Sequence, residues 1–133
     1  MKHEFKITGH VKVFSDGKLL LEKKNSIQPA SQDIIRRCLA GFSKASISRV
    51  EAYNDNTMLA FTGLLGSPEL VDSLNNNRVK FFFRFPRESF TGPFNKLKMG
   101  TGFGVFSVLE GFSNVKTELQ SLDVEWLIEI AIL

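Results

Sequence analysis

Hydrophobic and polar residues alternate strictly near the end of the chain. Apolar residues occupy every second position from 122 to 132, and Asp123, Glu125 and Glu129 lie between them. Such alternation is typical of a β-strand that buries one face and exposes the other. It predicts that Trp126 belongs to the core, and that the three acidic residues lie on the opposite face of the strand.

The same alternation recurs along most of the chain. Residues 4–14 and 18–27 alternate on either side of Asp16-Gly17, which predicts a β-hairpin. In residues 78–85, Phe81 and Phe83 are expected in the core, between basic positions, and Pro86 closes the strand. Shorter strands are predicted at 46–53, 58–64, 94–99 and 105–109.

One helix interrupts this pattern. Ser31 is a suitable N-cap, and the apolar residues that follow it, which include Cys38 and Leu39, form a helical stripe. Gly41 is a suitable C-terminal cap, so a helix is predicted over residues 31–40. Ser67-Pro68-Glu69 has helix-start chemistry and predicts one or two further turns before the asparagines at 75–77.

These elements predict a mainly β fold. About eight strands joined by turn clusters, with one short helix after the first hairpin, favour an antiparallel β-sandwich. A length of 133 residues fits a single domain that spans residues 1–133.

Composition adds three expectations. Thirteen phenylalanines against one Trp and one Tyr predict a phenylalanine-rich core. The single cysteine, Cys38, excludes an internal disulfide and is expected as a small core residue. The N-terminal segment lacks the apolar stretch of a secretory signal, and no segment has the ~18 apolar residues of a spanning helix. We therefore expect a soluble protein made in a cytoplasm, with no membrane partner.

The net charge of +3 is small, but its distribution is uneven. Residues 78–98 carry six basic side chains against Glu88, and residues 110–133 carry five acidic side chains against Lys116. Two interpretations stay open. The segments could attract each other between copies and favour head-to-tail association. Alternatively, the two strands are neighbours and their charges pair within one subunit.

The residue types of catalytic and metal sites are sparse. The two histidines, His3 and His10, lie in the first strand without a nearby cysteine cluster, whereas a metal site needs three or four convergent ligands. No phosphate loop, dinucleotide fingerprint or nucleophile elbow is present. The sequence therefore predicts no enzyme activity, no cofactor and no metal.

Two binding functions remain as alternatives. Basic and aromatic residues interleave in the 78–98 segment, so a single-stranded nucleic acid could bind there through Arg78, Lys80, Arg84, Lys96 and Lys98. The core needs most of those phenylalanines, however, and the Gly102-Phe103-Gly104 match to an RNA-recognition motif is partial, so nucleic acid is disfavoured as a partner. A carbohydrate-binding module is less favoured still, because it needs exposed Trp and Tyr.

The layout resembles small β-sandwich structural proteins of tailed bacteriophages, which occur in tails, necks and head–tail connecting regions. The resemblance covers most of the chain. Its motifs, in chain order, are Lys24-Asn25-Ser26-Ile27, the helix that ends in Leu39-Ala40-Gly41, the aromatic strand that ends at Phe85, Ser89-Phe90-x-Gly92, Phe106-Ser107 and the strand around Trp126.

The resemblance implies a non-catalytic virion component, a ring-forming tail or neck (head–tail connector) protein made in the host cytoplasm. Its partners would be copies of itself and other virion proteins, with buried apolar side chains for affinity and rim charges for register. The residues expected to contact partners are Phe82, Arg84, Arg87, Phe90 and Phe94, with Glu125 and Glu129 as opposite partners.

Overall fold

A computed structural model describes residues 5–71 and 77–132. In these residues the fold is mainly β, with one α-helix, α1 (Ser31–Leu39), and a short 3-10 helix (Ser43–Ala45). The strands are β1 (Phe5–Ser15), β2 (Lys18–Ile27), β3 (Arg49–Asn54), β4 (Thr57–Gly63), β5 (Glu69–Val71), β6 (Arg78–Phe85), β7 (Gly92–Phe94), β8 (Lys96–Thr101), β9 (Gly104–Leu109), β10 (Asn114–Lys116) and β11 (Leu122–Ile132).

Nine of these strands form one antiparallel sheet that curls on itself. Their order is β4-β3-β8-β9-β2-β1-β11-β6-β5, while β7 and β10 form a separate two-stranded sheet. The two ends of the large sheet meet, because Leu64 bridges Phe83 and the Leu65 amide donates to the Phe82 carbonyl at 2.7 Å. The segment between β4 and β5 therefore runs from one edge strand of the large sheet, β4, to the other edge strand, β5.

The predicted hairpin and terminal strand are confirmed. Asp16 and Gly17 both have positive φ, 48° and 86°, which is the backbone of a tight hairpin turn between β1 and β2. Strand β11 lies between β1 and β6, where Trp126 is opposite Val11 on one side and Phe81 on the other. Trp126 has no exposed surface, as its alternation predicted.

The core lies inside the curl and receives side chains from both halves of the large sheet. Strands β1, β6 and β11 contribute aromatic and β-branched residues from one half, and β3, β8 and β9 contribute residues from the other. The largest fully buried side chains include Trp126, Phe83, Phe85, Phe94, Leu97, Met99 and Leu109. Burial of such side chains stabilises the fold by about 1.5–3 kcal/mol each.

Two sequence-based predictions of secondary structure need correction. The described residues form eleven strands rather than about eight, because the three-residue strands β5, β7 and β10 are too short to show a period. The helical turn predicted after residue 67 is wrong over residues 69–71, which form β5 against β6. The rest of that prediction lies in residues 72–76, outside the described part of the chain.

The helix is present, but its apolar stripe is only partly buried. Ala30 is the N-cap instead of Ser31, and Ile34 packs into the core, where α1 contacts β9. Cys38 and Leu39, which were expected to be buried, are exposed, and 86% of the Leu39 surface is accessible. The buried residues of this nine-residue helix, Ser31 and Ile34, both lie in its first half.

A buried lysine holds the loop after β6 against β10. Lys116 has no exposed surface, and its ammonium group donates to the carbonyl oxygens of Arg87 at 2.6 Å, Phe90 at 2.9 Å and Thr117 at 3.1 Å. Burial lowers the pKa of Lys116, and the carboxylates of Glu88 and Asp16 oppose that change in part. Loss of water is thus offset by three charge-assisted hydrogen bonds.

This burial predicts a pH dependence of stability. Because the pKa of Lys116 is below its ordinary value of 10.5 in the folded protein, the unfolded chain binds more protons between those two pKa values. The free energy of unfolding should therefore rise with pH across that window, relative to a Lys116→Met variant that cannot titrate there. Urea unfolding of both proteins between neutral pH and pH ~10.5 measures the difference. A difference that stays constant, or that falls with pH, would contradict the prediction.

Candidate partner-binding surface

The basic and acidic segments pair within the chain. Strands β6 and β11 are neighbours, and their outward side chains meet as Arg78 with Glu129 at 2.5 Å, Lys80 with Glu125 at 2.9 Å and Arg84 with Asp123 at 2.7 Å. Of the two interpretations of the charge pattern, pairing within one subunit is therefore confirmed. Arg84, Glu125 and Glu129, which were expected to contact partners, each already have a counter-ion.

These ion pairs reduce the unpaired charge that the outer face of β6 and β11 presents to a partner. Hydrogen bonding to Glu125 raises the pKa of Lys80, and hydrogen bonding to Asp123 raises the pKa of Arg84. Exposed pairs of this kind stabilise a fold by only about 0.2–1 kcal/mol each. They also compensate Arg78, Lys80 and Arg84, three of the five basic residues that the nucleic-acid alternative needs. Of the other two, Lys96 lies 3.9 Å from Glu110, and the Lys98 ammonium lies over the Tyr53 ring.

Two predicted contact residues belong to the core instead. Phe94 has no exposed surface and Phe90 has 8%. The Phe90 ring packs edge-to-face against Phe85 and against Phe94, with centroids 5.5 Å apart in both pairs. Their assignment as partner contacts is wrong, because the loop after β6 folds back over the core and does not project from it.

Phe82 and Arg87 stay predictions. Phe82 is half-buried on the outer side of β6, where it lines a shallow apolar groove with Phe14 and Leu65. Arg87 is exposed, and its backbone carbonyl accepts a hydrogen bond from Lys116. Both residues can be reached by a partner.

A different set of side chains forms the most distinctive exposed surface of the described chain. It begins on β3 and β4, where the Arg49 guanidinium lies over the Phe61 ring, 4.8 Å from its centroid. Arg49 also donates to the carboxylate of Glu51, and the Tyr53 hydroxyl donates to the same carboxylate at 3.0 Å. Burial and the adjacent Glu51 raise the pKa of Tyr53. The Glu51 carboxylate thus holds the Arg49 guanidinium over the Phe61 ring.

The surface continues on α1 and on the turn between β8 and β9. The Arg37 guanidinium lies 4.3 Å from the centroid of the Phe103 ring and 6.0 Å from that of Phe42. Asp33, one helical turn earlier, accepts a hydrogen bond from Arg37 at 2.8 Å, and the two arginines beside it lower the pKa of its carboxyl. The rings of Phe42 and Phe103 pack edge-to-face at 6.2 Å.

A cleft of about 400 Å³ connects the two parts. Arg49 and Glu51 line it on one side, and residues 100–105, including Phe103, line it on the other. Arg49 and Phe103 line this cleft, and Arg37, Phe42 and Phe61 pack against them. We call these five residues the Phe–Arg surface: Arg37, Phe42, Arg49, Phe61 and Phe103.

Local chain geometry holds two of the three rings out of the core. Phe42 follows Gly41, which has a φ of 85° and ends the helix, and the Phe42 amide donates to the Arg37 carbonyl at 3.0 Å. Phe103 lies at the tip of the β8–β9 turn between two glycines. Turn tips and helix ends are normally polar, so a phenylalanine in each position is the sequence signal for an exposed site.

The exposure of these rings indicates what the surface can do. Phe61 is 59% exposed, Phe42 is 54% and Phe103 is 38%. Aromatic residues and arginine are enriched in the buried centres of protein interfaces, and they carry much of the binding energy there. Rings already packed against guanidinium groups lose little conformational freedom on binding. The arrangement is suited to contact with another protein.

Residues 5–71 and 77–132 contain no group of three or more His, Cys, Asp or Glu side chains placed to hold a metal ion. His10 pairs with Glu22 at 2.8 Å on the outer face of the sheet. In the same residues, no helix has the length and apolar character needed to cross a membrane.

Comparison with known proteins adds no relative. No family model, no curated protein and no solved structure matches the chain.

Proposed function

We propose that this chain is a non-catalytic structural protein of a tailed-bacteriophage virion. It is built into a ring in the tail, neck or head–tail connecting region, through contacts with copies of itself and with neighbouring virion proteins. It is made in the host cytoplasm and acts in the particle. The support is the set of sequence motifs that the chain shares with that group, together with the surface around the cleft.

Within this proposal the curled sheet acts as a β-sandwich. The half that contains β1, β6 and β11 packs face to face on the half that contains β3, β8 and β9, with the phenylalanine-rich core between them. Such a body is stiff enough to hold side chains in place for a partner. Ring subunits need this property, because each contact must repeat with the same geometry.

The observation that carries the proposal is the Phe–Arg surface. Arg49 and Phe103 line one cleft, and the partly exposed rings of Phe42 and Phe61 and the Arg37 guanidinium pack against these two residues. Exposed apolar side chains grouped in this way mark an interaction site more often than scattered ones do. Because the charges of β6 and β11 are already paired, the contact depends on these rings more than on the charged segments.

Association in solution tests the proposal. We expect the purified protein to form oligomers whose mass, measured by sedimentation velocity, is nearly the same at low and high salt. The reason is that apolar contacts are not screened, whereas contacts between exposed charges are. A mass that falls to the monomer at high salt would instead favour contact through the charged segments.

A paired substitution locates the contact. Replacing Phe42 and Phe103 together by serine should dissociate the oligomer, because both rings lose their apolar contact area. Leu119→Ser is the matched control, since Leu119 is 73% exposed in the loop before β11 and lies outside the Phe–Arg surface. An unchanged oligomer in the double variant, or a strict monomer in the unmodified protein, would count against the proposal.

A further inference from the structure

Strand β4 leaves one edge of the large sheet open. It is the first strand in the sheet order, and β3 is the strand that pairs with it. Its other side is covered only near its end, where the Thr62 hydroxyl donates to the Arg84 carbonyl at 3.0 Å and Leu64 bridges Phe83. Within the described chain, residues 57–61 have no strand on that side.

This edge lacks the charged residues and prolines that commonly protect β-sheet edges. Residues 57–67 contain no charged residue and no proline. The next proline is Pro68, and the next charged residue is Glu69. Natural edge strands are commonly blocked by lysine, proline or inward-pointing charges, because unpaired backbone groups attract other strands. Every other strand in the nine-stranded sheet carries a charged or titratable residue, except β9, which lies between β8 and β2.

Apolar side chains project beside the open backbone. Met58 is 45% exposed, Phe61 is 59% exposed and Leu65, just after the strand, is 46% exposed. We call these three residues, with the open backbone of residues 57–61, the β4 edge. Phe61 belongs both to the β4 edge and to the Phe–Arg surface.

A bulge limits how much backbone can pair. Ala60 is opposite Ala52 but Met58 is opposite Tyr53, so Leu59 is an extra residue on β4. Bulges increase the local twist of a strand and interrupt its regular hydrogen bonding. Any added strand is therefore short, and the exposed side chains must supply most of the buried area.

We infer that the occupant of the β4 edge is the β4 edge of a second copy of this chain, in an antiparallel arrangement. This inference rests on the proposed function and names one self-contact within it. In a two-fold contact each residue meets the same surface of its partner, so any charge near the axis would face a like charge. Residues 57–61 carry no charge, and Arg49, whose guanidinium lies over the Phe61 ring, is paired with Glu51. The β4 edge therefore avoids that repulsion, whereas the outer face of β6 and β11 does not.

The side chains are also compatible with the same pairing. In an antiparallel contact centred between Leu59 and Ala60, Met58 of each copy is opposite Phe61 of the other. A thioether against an aromatic ring is a favourable contact, and the flexible Met58 side chain can adapt to the ring. A two-fold contact closes on itself and gives a dimer, so a ring needs a second, different contact such as the Phe–Arg surface.

The test is the dimer dissociation constant of the full chain, measured by sedimentation over a range of concentrations. Met58→Lys and Phe61→Lys should each weaken the dimer by about tenfold or more, because lysine must be desolvated in place of an apolar contact. Leu119→Lys is the control for a charge added at an exposed leucine, and it should leave the constant unchanged. Circular dichroism of each variant shows whether the fold is retained.

The outcomes separate this inference from the proposed function. Loss of dimer in both β4 variants, with the control unaffected, supports the inference. If both variants associate as the unmodified protein does, while the Phe42 and Phe103 double variant dissociates, the β4 contact is overturned and the proposed assembly stands. If the unmodified protein stays monomeric at the highest concentration, both are overturned. Loss in Phe61→Lys alone assigns the contact to the Phe–Arg surface and overturns the β4 inference.

Discussion

Replacement of Lys116 by methionine is expected to lower the free energy of unfolding by about 3 kcal/mol, because three carbonyl oxygens lose their charged donor. Methionine keeps the length and the apolar stem of the side chain but has no N–H group. The ammonium also lies 5.3 Å from the centroid of the Phe90 ring, a contact that the substitution removes. Nearly all of the effect should therefore come from lost polar contacts and little from lost volume.

Urea unfolding followed by tryptophan fluorescence measures this change, since the single Trp126 is buried in the core. Lys18→Met is the matched control. Lys18 is exposed at the start of β2, so its replacement should change stability by no more than about 0.5 kcal/mol. A loss below about 1 kcal/mol in Lys116→Met would show that the carbonyl groups find water or other donors.

Replacement of Trp126 by alanine is expected to cost about 4 kcal/mol, the largest effect of any single substitution considered for this chain. The indole has no exposed surface, and it lies on β11 between Val11 of β1 and Phe81 of β6. Its Nε1–H donates to the Ser107 hydroxyl at 3.2 Å, across to β9. The side chain thus connects the two halves of the curled sheet, and alanine would leave a cavity between them.

Trp126→Phe keeps most of the volume and should cost about 2 kcal/mol, so the prediction can be tested if the alanine variant does not fold. Unfolding is followed by far-ultraviolet circular dichroism, because both variants lack tryptophan. Phe42→Ala is the control for an exposed aromatic side chain and should cost less than about 1 kcal/mol. If Trp126→Ala costs no more than Phe42→Ala, Trp126 does not join the two halves as described.

The longer elements were predictable from the chain because each has a regular period. The alternation around Trp126, the Asp16-Gly17 turn and the helix after residue 30 are local patterns, and each is present in the structure. Three-residue strands such as β5 are too short for a period to appear. The predicted bounds of the helix were also close to the observed ones. Its buried residues were not predictable, because they depend on how the helix meets the rest of the fold: Ile34 is in the core, whereas Leu39 is exposed.

The candidate site was mostly not predictable. Phe90 and Phe94 are assigned by sequence to a partner contact, yet both are in the core, because their loop folds back over it. Arg84 and Glu129 were separate candidates until the pairing of β6 with β11 placed each beside a counter-ion. Phe42 and Phe103 received no assignment to a surface, although their positions next to turn glycines are an available signal.

The sequence by itself determined that the chain is mainly β, where its long strands lie, that Trp126 is buried, and that residues 57–67 are uncharged. These properties follow from residue type and spacing alone. Only the tertiary structure decided which strands are neighbours, and hence that the charges pair within the chain, that β4 lies at an edge and that Arg37 and Arg49 lie on aromatic rings. The physical reason is that strand pairing and ring packing bring together residues that are far apart in sequence. Arg78 and Glu129, like Arg37 and Phe103, are more than 50 positions apart, and no local sequence pattern indicates that they are close in space.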